Sequence, residues 1–373
     1  MLRIFRENLC PNVLFFGRTF EDTARDAIFF NWTGAGFALT FEGTRLDVEL
    51  VASETVFLPE GIHWPWVSVY MDGADAPIKE FCVEKLSGTY TLFQSENCER
   101  HTIRVVKRSE NDKGKLGLAA IALEGKLLPV DCPAFKYRIE FIGDSITCGF
   151  GNAAMGRDDR FHVACEDGPK SFPALTAKLV HAQYHSVCIS GISLCRPLDP
   201  EFRLVSPDIP DVILPVRGME DYYIYTDRLH EERQGKADGF QEWSFSSFCP
   251  DAIVINLGTN DSFRIKAAAD KQCEEAHFES SYSAFLSSIR KYNGSKPVIA
   301  CTLGPMDYYL YDNIQRAAGK YQEETRDERV FCFKFGGIFP WREGYGGGDH
   351  PSVATHRRMA EELAYELKRW LVL

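Results

Sequence analysis

At 373 residues the chain is longer than a single hydrophobic core usually serves, so two domains are expected. Apolar residues make up 45% and charged residues 25%, a balance that excludes a disordered or fibrous chain. The formal net charge of -11 repels phosphate backbones and anionic headgroups, which excludes nucleic acid and membrane surfaces as partners.

The opening stretch, MLRIFRENLCPNVLFFGRTF, carries a charge every few residues. It lacks the apolar core of roughly 7–15 residues that a signal peptide needs. No run approaches the roughly 18 apolar residues of a spanning helix. The twelve cysteines are scattered, with no C-x-x-C pair among them. They read as reduced thiols, and the expectation is a cytoplasmic protein without a disulfide framework.

Residues 1–130 read as a β domain. Segments such as AIFFNW, GFALTFEG, TRLDVELVA, VSVYMDG, GTYTLFQ, HTIRVVKRS and LGLAAIALEG recur with Gly and Asp-Gly punctuation between them. Alternation is plain where Val67, Val69 and Met71 are set against Ser68, Tyr70 and Asp72. Short strands with regular turn signals predict a β-sandwich of the jelly-roll kind. Pro129 and Pro133 mark a linker, taken as 131–137.

A second domain, 138–373, alternates strands with helices. Strand candidates are RIEFIG, HSVCIS, DAIVINLG, PVIACTLG and RVFCFKF. Helices are expected at about 171–183, 276–292 and 309–325. Met359, Leu363, Leu367 and Leu371, spaced by four, predict a closing helix. The expected fold class is α/β: a parallel sheet covered on both faces, hence a three-layer α/β/α sandwich. In such folds chemistry gathers beyond the carboxyl ends of the strands. Those ends carry Gly143-Asp144-Ser145, Ser190-Gly191, Gly258-Thr259-Asn260-Asp261 and Gly304-Pro305, and the turn GGGDHPS follows the last strand.

Ser145, where an apolar strand breaks into a turn, is the candidate nucleophile, but a hydroxyl needs a base. Of nine histidines, His162, His181, His185 and His230 read as ordinary surface or core residues. His350 lies in a glycine-rich turn, YGGGDHPS, before the closing helix, and is the candidate base; the plain alternative is a turn residue. Acyl transfer also requires donors where the oxyanion develops. Gly191 offers a bare backbone N–H, Asn260 a side-chain amide, and Ser145 its own N–H. Alone, LGTND could equally be a strand followed by an Asx turn.

GDSITCGFG, SGIS, LGTND and DHPS, in this order, resemble the four blocks of the SGNH (GDSL-type) hydrolases. The resemblance implies that family's three-layer fold, with Ser145, Gly191, Asn260 and His350 as the block residues. An N-terminal β domain before such a domain is similar to carbohydrate esterase family 2, with FEGTRLDVEL, VYMDG and HTIRVVKRSE matching its pattern. That resemblance implies removal of O-acetyl groups from plant-type saccharides, with no cofactor and no metal. The partner implied is an acetylated sugar or oligosaccharide; the oligomeric state is left open. Two rival functions are an SGNH esterase or thioesterase acting on another small acyl ester, and a catalytically weak carbohydrate-binding protein.

One position departs from the family. An Asp usually stands two or three residues before the histidine, where this chain has Gly348 and Gly347. The nearby carboxylate is Asp349, a candidate orienting acid, against a distant acid or, as the resemblance implies for some members, a Ser-His dyad with a backbone carbonyl in that role. Cys148 reads as a buried structural cysteine. The six-residue gap between His350 and His356 does not match the i, i+4 pair of a helical metal site. Trp341 and Tyr345 are candidates for stacking on sugar rings. The long segment 217–249 is a candidate wall of the cleft.

Overall fold

The computed structural model describes residues 2–9, 12–53, 55–57, 61–130, 134–199, 203–206, 209–215 and 218–372. Residues 131–133 of the expected linker, Cys10 and Cys132 lie outside the described residues. Two compact units are formed, one from 1–134 with 162–169, the other from 135–161 with 170–373. Residues 162–169, expected within the second domain, group with the first. No helix among the described residues is long and apolar enough to cross a membrane.

Among the described residues the first unit holds eleven strands: β1 (Leu2–Phe5), β2 (Leu14–Phe16), β3 (Phe20–Asp22), β4 (Ala27–Phe29), β5 (Gly36–Ser53), β6 (Thr55–Phe57), β7 (Gly61–His63), β8 (Trp66–Met71), β9 (Lys79–Cys82), β10 (Ser87–Lys107) and β11 (Lys115–Leu128). Nine form one antiparallel sheet in the order β3-β4-β11-β5-β10-β8-β9, with β1 on β11 and β2 on β5. β6 and β7 form a separate pair. Alternation sets the inward face, as Leu46, Val48 and Leu50 on β5 are fully buried.

The segments read as separate short strands are fused. GFALTFEG and TRLDVELVA lie on one strand of 18 residues, and GTYTLFQ and HTIRVVK, the start of HTIRVVKRS, on one of 21. Their glycines do not mark chain reversals. A Cβ on Gly43 would lie 2.2 Å from the Glu124 carbonyl oxygen, and one on Gly125 would lie 2.1 Å from that of Glu42. The two backbones cross at a register shift between Glu124 and Gly125, a bulge that bends a continuing strand. Further shifts interrupt β10 between Thr91 and Phe93 and between Gln94 and Glu99.

In the second unit β12 (Tyr137–Gly143), β13 (Ala182–Cys188), β16 (Ala252–Asn256), β17 (Val298–Leu303) and β18 (Val330–Lys334) form a parallel sheet in the order β13-β12-β16-β17-β18. β14 (Arg203–Ser206) and β15 (Ile209–Pro215) make a hairpin outside it. The helices are α1 (Ser145–Cys148), α2 (Phe172–Leu179), α3 (Arg228–Arg233), α4 (Thr259–Ala267), α5 (Lys271–Asn293), α6 (Tyr311–Thr325), α7 (Pro340–Glu343) and α8 (Val353–Trp370).

β16 and β17 are buried at every position, as strands covered on both faces must be. Ile139, Phe141, Val254 and Ala300 pack with Phe172 of α2 and with Met359, Leu363 and Leu367 of α8. Residues that alternate with these, Ile253, Ile255 and Cys301, are equally buried toward the opposite face. Tyr282 of α5 lies against Cys301 there. The chain runs from β12 outward to β13 and then back to β16 on the other side of β12. The connections therefore diverge at the carboxyl ends of β12 and β16, the place where open α/β sheets leave a crevice.

Candidate active site

β12 ends at Gly143, level with Cys188 of β13 and Asn256 of β16. A Cβ at Gly143 would stand 1.9 Å from the Thr147 hydroxyl oxygen, so only glycine lets the chain drop from the strand into α1. Asp144 caps that turn: its Oδ1 accepts from the Ile146 N–H at 3.0 Å. Gly149, at φ 83°, ends the turn after four residues. Ser145 is thus the first residue of a single turn whose geometry is set before and after it. Its 9% relative exposure leaves it buried but reachable. Asp144 thus shapes the turn.

His350 arrives from the other end of the chain. Its Nε2 is 2.9 Å from the Ser145 Oγ, and its Nδ1 is 2.9 Å from the Gly348 carbonyl oxygen. A carbonyl can only accept, so this contact puts the proton on Nδ1 and leaves the Nε2 lone pair facing the hydroxyl. Two successive left-handed residues, Gly348 at φ 59° and Asp349 at φ 61°, fold the carbonyl back under the imidazole. Backbone bonds hold the turn: Gly346 N to His350 O at 2.8 Å, Gly347 N to Gly151 O at 2.9 Å and Gly348 N to Arg157 O at 3.0 Å. The Phe150 ring supports the imidazole at 4.7 Å and itself stacks on Phe161 at 3.9 Å.

Asp349 does not take the orienting position. Its carboxylate pairs with Arg157, and both side chains are 54% exposed. The adjacent residues point apart because Asp349 is left-handed and His350 is extended, at φ -71° and ψ 163°. Of the alternatives weighed, the geometry sets the Gly348 carbonyl, not the Asp349 carboxylate, against His350 Nδ1. A backbone carbonyl was among the alternatives, but neither its residue, Gly348, nor Arg157 was singled out; the signal present was a run of three glycines directly before Asp349.

Gly191 follows β13 with φ 74°, and nothing would obstruct a Cβ there. The glycine answers to backbone conformation rather than to space. Asn260 lies in the first turn of α4. Its amide nitrogen donates to the Ile192 carbonyl at 2.9 Å and stands 3.4 Å from Asp144 Oδ2. Asn260 thus lies between the Gly191 loop and the Ser145 turn. The four sequence-predicted positions are brought to one place.

Residues 139–363 match the model of the GDSL-like lipase/acylhydrolase family. The chain belongs to that family. Residues 15–133 match the carbohydrate esterase 2 N-terminal model. A cellulase/esterase of Acetivibrio thermocellus is 28% identical over 371 residues, which are 97% of this chain and 40% of the relative. This chain thus spans less than half of that relative's length. An acetylxylan esterase/glucomannan deacetylase of Cellvibrio japonicus is 25% identical over 362 residues, 96% of this chain and 89% of the relative. Among solved structures, a family two carbohydrate esterase from Clostridium thermocellum in complex with cellohexaose superposes with a TM-score of 0.78 at 27% identity, covering 96% of this chain and 99% of that one.

In this GDSL-like chain the remaining candidates divide. Trp341, on α7, is 85% exposed, with Phe339 at 5.8 Å on one side. Tyr345 pairs with Pro351 across the histidine turn and is covered by the Arg157 guanidinium at 5.0 Å. Cys148 is fully buried within α1. His356 is buried in α8, where its Nδ1 accepts from the Phe172 N–H at 3.2 Å. Burial, reinforced by His350, pushes its pKa down to about 3, so it stays neutral and structural. Asp349, His350 and His356 thus face Arg157, Ser145 and Phe172 in turn and do not converge on an ion. Residues 218–221 of the long insertion pair with the loop after β13, with Met219 N to Ser193 O at 2.8 Å and Glu220 N to Leu194 O at 3.2 Å.

Proposed function

We propose that the protein is a serine esterase that removes O-acetyl groups from carbohydrates through a Ser-His dyad. One observation carries the reading: His350 Nε2 sits 2.9 Å from Ser145 Oγ while its Nδ1 is held by a backbone carbonyl. His350 takes the Ser145 proton as Oγ attacks the acetyl carbonyl. The N–H groups of Ser145 and Gly191 and the Asn260 amide receive the developing oxyanion. One Asn260 hydrogen already serves Ile192 O; the other meets a contact of only 3.4 Å and can turn to the substrate. His350 then protonates the departing sugar hydroxyl. Water repeats the sequence on the acetyl-Ser145 ester and releases acetate.

The substrate class is an acetylated plant-type oligosaccharide. The match of residues 15–133 to the carbohydrate esterase 2 model supports it, as do the names of the relatives. Trp341, exposed and mostly uncovered, is the side chain offered to a sugar ring. We place the protein in the cytoplasm, since the ten described cysteines are all thiols; activity and melting temperature should not change on adding a thiol reductant. The deciding experiment compares wild type with Ser145→Ala on p-nitrophenyl acetate and on acetylated xylo-, manno- and gluco-oligosaccharides, with acetate followed by NMR. Acetate release is expected from wild type and not from the variant. Turnover retained in Ser145→Ala would overturn the mechanism.

A further inference from the structure

The dyad reading assigns no task to the residue after Asn260. Asp261 is fully buried, and its carboxylate reaches beyond its own helix turn. Its Oδ2 accepts from the Leu194 N–H at 2.8 Å, and its Oδ1 lies 3.4 Å from the Cys195 N–H. Both donors belong to the loop that begins at Gly191. Arg264, one turn along α4 and 1% exposed, stands 3.5 Å from Asp261 Oδ1 and pairs with Glu274 of α5. Glu274 reaches the far end of the same loop, where its Oε1 accepts from the Leu198 N–H at 3.2 Å.

We propose that Asp261, Arg264 and Glu274 form a positioning network that sets the direction of the Gly191 N–H. The inference rests on the reading of Gly191 as an oxyanion donor. Three buried charges in contact are a costly arrangement, and an apolar set of equal volume is often at least as stable. Their placement is informative for that reason. Among the described residues, the hydrogen bonds by which the two carboxylates reach another part of the chain go to the loop, at the N–H groups of 194, 195 and 198 and, weakly at 3.8 Å, at the Cys195 thiol; Asp261 also accepts from its own N–H. Asn260 holds the same loop at Ile192 O. The loop is therefore tied at 192, 194, 195 and 198, and Gly191 is the residue just before the first tie.

Gly191 has no side chain to hold it, and φ 74° is one of several conformations open to glycine. With the ties in place, the residues after it cannot rotate to follow a different choice. Burial pushes the Asp261 carboxyl above the ordinary carboxylate range, while the Leu194 N–H and Arg264 work against the rise. Asp261→Asn keeps size and removes the charge that Arg264 faces. It also offers an NH2 where an acceptor is needed.

The test is the kinetics of Asp261→Asn and Glu274→Gln on p-nitrophenyl acetate, with melting temperatures and hydrogen exchange of the 189–198 segment. Expected for Asp261→Asn is a kcat at least tenfold lower with KM within about twofold, and faster exchange in that segment. Expected for Glu274→Gln, whose amide oxygen still accepts from Leu198, is a smaller fall in kcat with KM unchanged and a smaller but measurable rise in exchange. A merely structural role would lower the melting temperature and leave kcat per folded molecule unchanged, and that result overturns the proposal. If Asp261→Asn does not fold, Glu274→Gln decides by the same criterion. If wild type itself shows no esterase turnover, the dyad reading has failed; the exchange arm then still tests the network, and unchanged exchange in either variant overturns it.

Discussion

Replacing Asp349 by Asn separates a histidine oriented by backbone from one oriented by an acid. Where an acid holds the imidazole, removing its charge costs on the order of 10⁴ in kcat, about 5.4 kcal/mol at about 1.36 kcal/mol per tenfold. Here the carboxylate faces Arg157 with both partners 54% exposed. Such an ion pair stabilises by roughly 0–1 kcal/mol. If all of it were felt in the transition state, the rate would fall about fivefold. Asn suits the test because Asp349 sits at φ 61°, a conformation that Asn tolerates and Ala does not. The assay is kcat and KM on p-nitrophenyl acetate, with Ser145→Ala as blank and a circular-dichroism melt to check the fold. A kcat within about fivefold of wild type is expected. A loss of about 10³ or more at an unchanged melting temperature would refute the carbonyl assignment. Gly348→Ala probes the same atom from the other side. It strains a position at φ 59° by roughly 1–2 kcal/mol and should reduce kcat more than Asp349→Asn does.

Three further outcomes follow from other parts of the molecule. Gly143→Ala forces a Cβ to within 1.9 Å of the buried Thr147 hydroxyl. Overpacking of that kind costs about 1–3 kcal/mol in urea unfolding, and Thr147→Ala should recover part of it; wild-type stability in the single variant would contradict the packing argument. His101 lies between Asp72 at 2.7 Å and Glu99 at 3.1 Å. Burial works against its charged form, but the bonds to the two carboxylates outweigh it and raise its pKa. A raised folded value means that its stabilisation is full below the ordinary imidazole value and is lost as pH rises through the raised one. His101→Gln should flatten the melting temperature across that window, and an unchanged slope would exclude the coupling. Trp341→Ala should leave the melting temperature unchanged, because the side chain is 85% exposed. It should lower kcat/KM on acetylated oligosaccharides more than on p-nitrophenyl acetate; equal losses on both would remove Trp341 from sugar binding.

The parallel sheet was legible because strands buried on both faces leave unbroken apolar runs, such as Ala252–Ile255 and Val298–Cys301. Ser145, Gly191 and Asn260 were picked out because each stands just past a strand end, after β12, β13 and β16. The β domain was legible as β but not in its lengths. Gly43 and Gly125 were read as turn residues, yet each is a crossing point where two backbones nearly touch. A glycine demanded by a cross-strand partner 82 positions away looks the same in sequence as one demanded by its own turn. The sheet order β3-β4-β11-β5-β10-β8-β9 is hidden for the same reason, because most of its neighbours are not consecutive in sequence.

The same limit applies at the site, and there it has a chemical form. A search for what steadies His350 looks for a carboxylate, because a side-chain acid can be seen in a sequence. The atom found there is a carbonyl oxygen, which every residue owns, so its role depends wholly on backbone direction. What the sequence does carry is the permission: glycines at 346–348 allow a turn tight enough to bring O of residue 348 to Nδ1 of residue 350. Asp261 shows the converse. It is a visible acid in a visible motif, and an Asx turn was the ready account of it. Its partners lie 66 and 67 residues earlier in the chain. An acid that looks local is thus committed to a distant loop, while the histidine that looks in need of an acid is served by its own turn. A neutral carbonyl stabilises an imidazolium less than a carboxylate would. On the proposed mechanism, more of the transition-state stabilisation must then fall on the oxyanion donors, and the rigidity of the Gly191 loop becomes the quantity on which turnover should depend most.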